Sequence, residues 1–151
     1  MRNVLVSVFA AVTLFASGAA VAQVGVGVAG AKAGYGLDLT YDLGQESMVH
    51  GMIGQTDKIE GSDKPQVLFG SVDYDLTAAI SKNVGVYAGL GLGVHQERGI
   101  DARLPIGIMA TFDRFPVQVA LETARSMSLS QDASGRRTFT DHSLAVRYLI
   151  K

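Results

Sequence analysis

Apolar and polar residues alternate along most of the chain after its first 22 positions. From Tyr35 to Leu43, apolar side chains occupy every odd position, and Asp38 and Asp42 are among the residues between them. A period of two places the two sets on opposite faces of a β-strand, because successive strand side chains point in opposite directions. The same alternation recurs along the chain and predicts eight strands and no helix. The predicted strands are 24–32, 35–43, 47–56, 66–79, 83–96, 100–112, 116–128 and 139–150.

The first 22 residues follow a different pattern. Met1-Arg2-Asn3 is a short positive start, Val4 to Ala16 is an apolar run, and Ala20-Val21-Ala22 has the small-x-small form that signal peptidase cleaves. The apolar run of about 13 residues is shorter than the roughly 20 that a membrane-spanning helix needs. We therefore predict a cleaved signal peptide at 1–22 and one exported domain at 23–151.

Composition excludes several classes of function. The chain has no cysteine, so it has neither a disulfide scaffold nor a zinc site built on thiolates. Its formal net charge is −1, which gives no electrostatic reason to expect a nucleic-acid partner. Only 18% of the residues are charged, and 18 are glycine. These numbers leave an apolar, nearly neutral, glycine-rich strand protein.

The residues on the polar face separate two kinds of barrel. In a soluble barrel the apolar face points inward, whereas in a transmembrane barrel it meets lipid and the polar face lines the interior. Here the polar face holds mostly Gly, Ser, Thr and Asp, and such small side chains suit a narrow interior. Gly85, Gly89, Gly91 and Gly93 leave room for larger groups opposite them.

Strand length and closure also favour a transmembrane barrel. The predicted strands have about 9 to 14 residues, and roughly 9–11 cross a bilayer at a tilt. In lipid, only a closed sheet pairs every backbone donor and acceptor of its strands. We predict an all-β, eight-stranded antiparallel up-and-down transmembrane β-barrel. The alternative is a soluble periplasmic binding barrel of lipocalin-like architecture, in which the even-numbered residues of 84–94 face inward. The segment 47–56 does not reveal which of its faces points inward.

The signal peptide, the eight alternating segments and the alternation of short turns with longer loops resemble a known family. These features are those of the small eight-stranded outer-membrane barrels of Gram-negative bacteria, of the OmpX and OmpA transmembrane-domain type. Ala102 to Ile108, then Phe115-Pro116-Val117 and Glu122, resemble the Arg-x-Pro-x-Gly strand, Pro-started strand and Glu of an uncharacterised subgroup. The resemblance covers the whole mature chain. It implies an outer-membrane location, contact with lipid and lipopolysaccharide, delivery by the outer-membrane assembly machinery, and a monomer.

The C-terminal strand resembles the signal that this assembly machinery reads. Ser143, Ala145, Tyr148 and Ile150 supply its polar, small and two hydrophobic or aromatic positions. Ala145 replaces the usual Gly, and the chain ends on Ile150-Lys151 rather than on Phe. An ordinary amphipathic last strand is the alternative interpretation.

Charged residues on the inner face are the candidate functional group. Arg103, Glu122 and Arg147 lie on three successive strands, and a guanidinium can bind a carboxylate through two hydrogen bonds. We predict a lumen network of these residues with Asp38 or Asp73. It either plugs and stiffens the barrel, which we favour, or gates a narrow pore. By parity, the inward-facing charged residues are Asp38, Asp42, Asp73, Asp75, Asp101, Arg103, Glu122, Asp141 and Arg147.

The outer face carries aromatic residues near the predicted strand ends. Aromatic rings favour the bilayer interface, so two bands are expected there. In a soluble barrel these rings would be core residues instead. Arg125, also on the outer face, fits only near lipid headgroups. The aromatic set is Tyr35, Tyr41, Tyr74, Phe112 and Tyr148.

The histidines offer little support for catalysis or metal binding. Lipid A deacylase barrels use a His-x-Ser pair with a carboxylate, but Met, Glu and Leu stand two positions after His50, His95 and His142. His95 and Glu97 share a face, although two ligands alone make a weak metal site. We therefore expect no enzyme, no cofactor and no metal. The long segments 57–65 and 129–138 are expected to be solvated loops, and contact with lipopolysaccharide phosphates or a host molecule is the alternative.

Overall fold

The computed structural model describes residues 23–31, 34–44, 46–56, 67–96, 99–129 and 138–150. It is a closed barrel of eight antiparallel strands, each paired with its neighbours in sequence, and β1 pairs with β8 to close the sheet. The predicted fold class is confirmed. The strands are β1 (Val24–Ala31), β2 (Gly34–Gly44), β3 (Ser47–Thr56), β4 (Val67–Ala79), β5 (Val84–His95), β6 (Gly99–Thr111), β7 (Val117–Ser128) and β8 (Thr138–Ile150).

The predicted signal peptide at 1–22 and most of the two long loops lie outside the described residues. Among the residues described, no helix is long and apolar enough to span a membrane. We name the two ends of the barrel by its connections. The loop end is where β1 joins β2, β3 joins β4, β5 joins β6 and β7 joins β8. The turn end carries the other three connections.

The barrel has its apolar side chains outside and its charged side chains inside. On β5, Leu90, Leu92 and Val94 are 67%, 55% and 38% exposed. Inside, Asp73 and Arg147 are almost completely buried. The even-numbered residues of 84–94 therefore face outward, and the alternative of a lipocalin-like barrel with an apolar interior is wrong. An apolar exterior around a polar interior is the arrangement of transmembrane barrels.

Strand β3, whose facing the sequence left open, presents its even-numbered residues to the interior. Met48 and His50 are buried there. His50 pairs with Thr40 on β2 and with Asp73 on β4, and both neighbours are also buried. The sheet pairing of β3 thus puts an imidazole among the interior carboxylates.

Glycines on β5 make the space that the interior acids occupy. A Cβ atom on Gly89 or Gly91 would lie under 3.0 Å from Oδ1 of Asp75 or Asp73 respectively. Each glycine pairs directly with the acid concerned across the β4–β5 ladder. Replacing either glycine would therefore displace a buried carboxylate.

The Arg-x-Pro-x-Gly segment places all three of its defining residues on the inner face of β6. Arg103 and Pro105 are buried. Pro105 has no N–H to donate, and the β5–β6 ladder is interrupted opposite Gly89, where the proline lies. Gly107 lies against the ring of Tyr87, which leaves no room for a Cβ atom.

One acid placed inward by parity lies at the barrel rim instead. Asp42 is exposed, and its Oδ1 accepts a 2.7 Å hydrogen bond from the Gly44 backbone N–H. The β2–β3 register shifts between these two residues, and Gly44 has a φ of 71°. Asp42 therefore stabilises the turn between β2 and β3 and does not join the interior group.

Candidate functional site

The first interior ion pair joins two strands that are not neighbours in the sheet. Arg147 on β8 donates from Nε to Asp38 Oδ1 on β2, and from Nη2 to Asp38 Oδ2 at 3.2 Å. Gly27 on β1 lies between them and pairs with both residues. The glycine has no side chain to separate the charges, so the guanidinium meets the carboxylate in the bidentate geometry that is strongest for this pair. A further bond of 2.9 Å runs from Arg147 Nη1 to Gln118 Oε1.

The second ion pair repeats this arrangement. Arg103 on β6 donates from Nε to Asp73 Oδ1 on β4 at 3.2 Å, and Gly91 on β5 pairs with both. Arg103 also donates from Nη2 to Glu122 Oε1 on β7 at 3.0 Å. One guanidinium thus holds one oxygen of each of two buried carboxylates.

A third bridge also crosses a glycine. The Tyr87 hydroxyl on β5 donates to Glu122 Oε2 at 3.0 Å, and Gly107 on β6 pairs with both residues. Tyr87 is 2% exposed. The ring fills the barrel below the Arg103 pair, on the side of the turn end.

His50 connects the first two ion pairs. Its Nε2 is 2.8 Å from Asp38 Oδ2, and its Nδ1 is 3.2 Å from Glu122 Oε2 and 4.0 Å from Asp75 Oδ2. Because β3 and β7 lie on opposite walls, these contacts span the lumen. The sequence analysis did not place His50 in the network. The signal that would have found it is the position of His50 opposite Asp73, which becomes visible only when the β3–β4 register is known.

The interior group contains more acids than bases. Arg147 is paired with Asp38, and Arg103 is shared between Asp73 and Glu122. The ion-pair contact of Asp75 is with His50 Nδ1, 4.0 Å from its Oδ2. Asp75 Oδ1 and Oδ2 and Asp73 Oδ2 are buried without a hydrogen-bond partner among the described residues. Buried carboxylate oxygens are usually paired, so this excess requires an explanation.

Asp101, the inward-facing acid nearest the loop end of β6, contacts His95. Its Oδ2 is 3.2 Å from His95 Nε2, and the His95 ring stacks on Phe69 at a centroid distance of 5.9 Å. Asp101 is buried on the inner face, as parity predicts. Glu97, the other half of the possible two-ligand site at His95, lies outside the described residues.

A small cavity lies on the loop side of the Arg103 pair. Its volume is about 40 Å³, enough for a few water molecules. Arg103, Glu122, Met52, Phe69 and Asp141 are among the side chains around it. The interior therefore has room for water on the loop side of the Arg103 pair, whereas the ring of Tyr87 fills it on the turn side.

The predicted interfacial aromatics lie on the outer face, but unevenly between the two ends. Tyr35 is near the loop end, whereas Tyr41, Phe112 and Tyr148 are near the turn end. Tyr74 lies within β4 rather than at its end. Tyr35, Tyr74, Phe112 and Tyr148 are 50% to 57% exposed, and Tyr41 is partly buried.

The predicted assembly signal divides between the two faces of β8. Ser143 and Ala145 point inward, with Ala145 4% exposed, whereas Tyr148 and Ile150 are exposed on the outer face. His142 lies on the outer face, so it cannot act as a base on its neighbour Ser143 in a nucleophile–base pair.

A polar patch interrupts the apolar exterior near the loop end of β7 and β8. Thr123 Oγ1 is 3.0 Å from His142 Nδ1, and Arg125 pairs with Thr140 in the next row. All four side chains are exposed. The patch thus presents cationic and hydroxyl groups at the edge of the apolar band.

Solved structures similar to this chain share its barrel architecture. Neisserial surface protein A has a TM-score of 0.55 and 11% identity, covering 84% of this chain and 94% of that protein. The de novo designed protein TMB2.3 has a TM-score of 0.54 and 14% identity, covering 89% and 98%. The Yersinia pestis outer membrane protein Ail has a TM-score of 0.52 and 14% identity, covering 85% and 98%. No protein-family model and no curated protein matches the sequence.

The closed eight-stranded antiparallel sheet and these structural matches lead to one conclusion about the fold. Neisserial surface protein A and Ail are both small eight-stranded outer-membrane barrels. The chain has the fold of the small eight-stranded outer-membrane β-barrels, the OmpX-type group that its sequence resembles.

Proposed function

We propose that the protein is a closed, non-conducting outer-membrane barrel with a structural role in membrane integrity. The observation that carries the proposal is the set of ion pairs that join non-neighbouring strands through the lumen. Asp38 with Arg147 links β2 to β8, and Arg103 with Asp73 links β6 to β4. These pairs brace the wall from inside, and the contact of His50 with Glu122 joins opposite walls, so together they resist flattening of the barrel and the passage of ions.

The width of the barrel supports a packed interior. Eight strands leave an interior just wide enough for side chains to fill. Tyr87, His50 and the two arginines occupy that space. A hydrated ion would have to break these buried contacts to pass, which makes a plug the better interpretation than a selectivity filter. The proposal assigns no catalytic activity to the protein.

The exterior supports contact with outer-membrane lipid. We propose that Arg125 and His142 meet the phosphates of lipopolysaccharide at the loop end, since a cation on the lipid-facing side is stable only near headgroups. The protein would reach this position through export by the cleaved signal peptide at 1–22. The assembly machinery would then recognise Tyr148 and Ile150 and insert the barrel as a monomer.

Planar-bilayer recording of the isolated wild-type barrel tests the plug. We expect no discrete conductance from protein whose insertion is verified in the same sample. Discrete single-channel steps would reject the plug and favour a narrow pore.

The integrity role is tested by the detergent sensitivity of cells that lack the protein. We expect increased sensitivity, restored by the wild type and by the control Arg114→Met, which replaces an exposed arginine of the β6–β7 connection, but not by Arg103→Met. An unchanged barrier in the deletion strain would reject this role.

A further inference from the structure

Three ligand-type side chains converge in the plug from three different strands. One ligand atom each from His50, Asp73 and Glu122 lies within 4.8 Å of the other two, and all three residues are buried. The strands β3, β4 and β7 hold these atoms from opposite walls of the barrel. An imidazole nitrogen and two carboxylate oxygens are ligands that divalent transition metals accept.

The contact of His50 with Asp38 orients the ring for such a role. When Nε2–H donates to Asp38 Oδ2 at 2.8 Å, the Nδ1 atom carries the free lone pair. This Nδ1 has no hydrogen-bond partner among the described residues, although Glu122 Oε2 is only 3.2 Å away. A carboxylate that holds the second nitrogen of an imidazole is a common feature of metal-binding histidines.

The Arg103 guanidinium leaves the inner oxygens of the acids available. It binds Asp73 Oδ1 and Glu122 Oε1, while Asp73 Oδ2 has no hydrogen-bond partner and Glu122 Oε2 accepts only from Tyr87 among the bonds described here. A carboxylate oxygen has two lone-pair directions, so Glu122 Oε2 retains one for a metal. Arg103 is thus a positioning residue that presents two oxygens toward His50.

The charge of the group calls for a cation. Coordination through Nδ1 requires a neutral His50, and in that state Asp73, Asp75 and Glu122 with the single Arg103 leave two negative charges buried together. Asp75 is 0% exposed, and neither of its oxygens has a hydrogen-bond partner among the described residues. Its Oδ2 lies 4.0 Å from His50 Nδ1, at the edge of the group. Burying such an excess is costly unless a counter-charge is present.

We propose that His50 Nδ1, Asp73 and Glu122 bind one divalent transition-metal ion of the zinc type, with Asp75 supplying further negative charge beside it. The cavity of about 40 Å³ borders Glu122 and Arg103 on the loop side and leaves space next to the site. This inference deepens the proposed plug, because the ion would join β3, β4 and β7 across the lumen. The imidazole ligand favours Zn²⁺ over Mg²⁺, which prefers oxygen ligands and retains its water.

Titration calorimetry of the full barrel, isolated from membranes in detergent and treated with a chelator, tests the site. We expect one Zn²⁺ per chain and no saturable binding of Mg²⁺. His50→Gln should weaken Zn²⁺ binding by at least about tenfold, since loss of even an outer-shell partner costs this much. The matched control His142→Gln removes an exposed histidine and should change nothing. Absence of saturable Zn²⁺ binding, or loss in His142→Gln with retention in His50→Gln, overturns the proposal.

A second measurement needs no variant and therefore does not depend on how a substitution affects folding. Nitrogen NMR of the imidazole rings in the wild type should show the His50 Nδ1 resonance shifting on addition of Zn²⁺, with the His142 resonances unchanged. A shift confined to His142 or His95 would place the ion elsewhere and refute the site.

Conductance separates the two proposals, because a conducting barrel that binds Zn²⁺ at His50 would reject the plug alone. A silent barrel that binds no Zn²⁺ would reject the metal site alone.

Discussion

Removal of the Arg103 guanidinium is the most direct test of how the interior is stabilised. Arg103→Met keeps a long side chain of similar shape but deletes the charge and its two bonds. Arg103 is 6% exposed, and its partners Asp73 and Glu122 are 0% and 6% exposed. The change therefore leaves two buried carboxylates without their cation, in a group that already contains the unbonded Asp75.

The expected loss follows from the burial of both partners. Breaking a buried ion pair by removing one partner costs about 3–5 kcal/mol, because the remaining charge is left uncompensated. With a urea dependence of about 2 kcal/mol per molar, the unfolding midpoint should fall by roughly 1.5–2.5 M. A surface pair would contribute only about 0–1 kcal/mol, so the two cases are well separated.

Equilibrium unfolding of the barrel in lipid vesicles measures this loss. Arg114→Met is the matched control, because it makes the same substitution on an exposed arginine of the β6–β7 connection. We expect the control to change the free energy of unfolding by no more than about 0.5 kcal/mol. A double-mutant cycle of Arg103→Met with Asp73→Asn should then give a coupling of about 0.5–3 kcal/mol, since the two residues are in contact.

An unchanged midpoint and slope for Arg103→Met would refute the reasoning. It would mean that the remaining acids take up protons or water at little cost, so that the ion pairs do not stabilise the barrel. Zero coupling with Asp73→Asn, together with a large loss in the single variant, would show that Arg103 acts through packing alone.

The remaining predictions concern packing, orientation and location. Gly107→Ala should push the buried ring of Tyr87 and lower stability by about 1–3 kcal/mol in urea unfolding, whereas Gly70→Ala, with ordinary contact distances, should not. Leu90→Arg, on the outer face in the middle of β5, should lower the stability of the inserted barrel by about 2–4 kcal/mol. Ile100→Arg, near the loop end, should cost only about 0–1 kcal/mol. A larger loss for Ile100→Arg than for Leu90→Arg would mean that Ile100, not Leu90, lies near the middle of the bilayer. The wild type should sediment with outer membranes and migrate differently on heated and unheated gels. Recovery as a soluble periplasmic protein would contradict the lipid-facing exterior.

Most of the fold followed from alternation because six of the eight strands carry it clearly. In β1 the valines alternate only with glycine and alanine. In β3 the facing stayed open, since Met48 and Met52 on one face and Val49 and Ile53 on the other are all apolar. No period-two signal can assign a strand with two apolar faces. The pairing of His50 with Asp73 resolves it, and this pairing is a tertiary property.

The acids and arginines of the interior site followed from parity, whereas the part of His50 and the exact pairing of each arginine did not. The odd or even position of a residue in its strand determines which face of the sheet it occupies. It does not determine the position of the residue along the barrel axis. That position depends on the register of each ladder, which pairs Arg147 with Asp38 and Arg103 with Asp73. The same register puts Asp101 beside His95. Sequence pattern therefore predicts the composition of a barrel interior better than its contacts.

The three bridges suggest a physical rule for predicting from sequence which inner-face side chains contact each other over an intervening strand. Residues two strands apart lie roughly 9–10 Å from one another, twice the spacing of neighbouring strands. A long side chain can cross this distance on the inner face only where the middle strand carries no side chain. Gly27, Gly91 and Gly107 occupy those middle positions in all three bridges.

Glycine in these strands is thus part of the ion-pair network, although it carries no charge. A conventional core stabilises a soluble barrel by burying apolar area, whereas here the apolar area faces lipid and the interior is held by polar contacts. A methyl group at Gly91 would therefore act on charge, because it would lie against the Asp73 carboxylate and force it away from Arg103. A sequence therefore predicts an ion pair over one strand where that strand has a small residue on its inner face and the two adjacent strands carry opposite charges beside it.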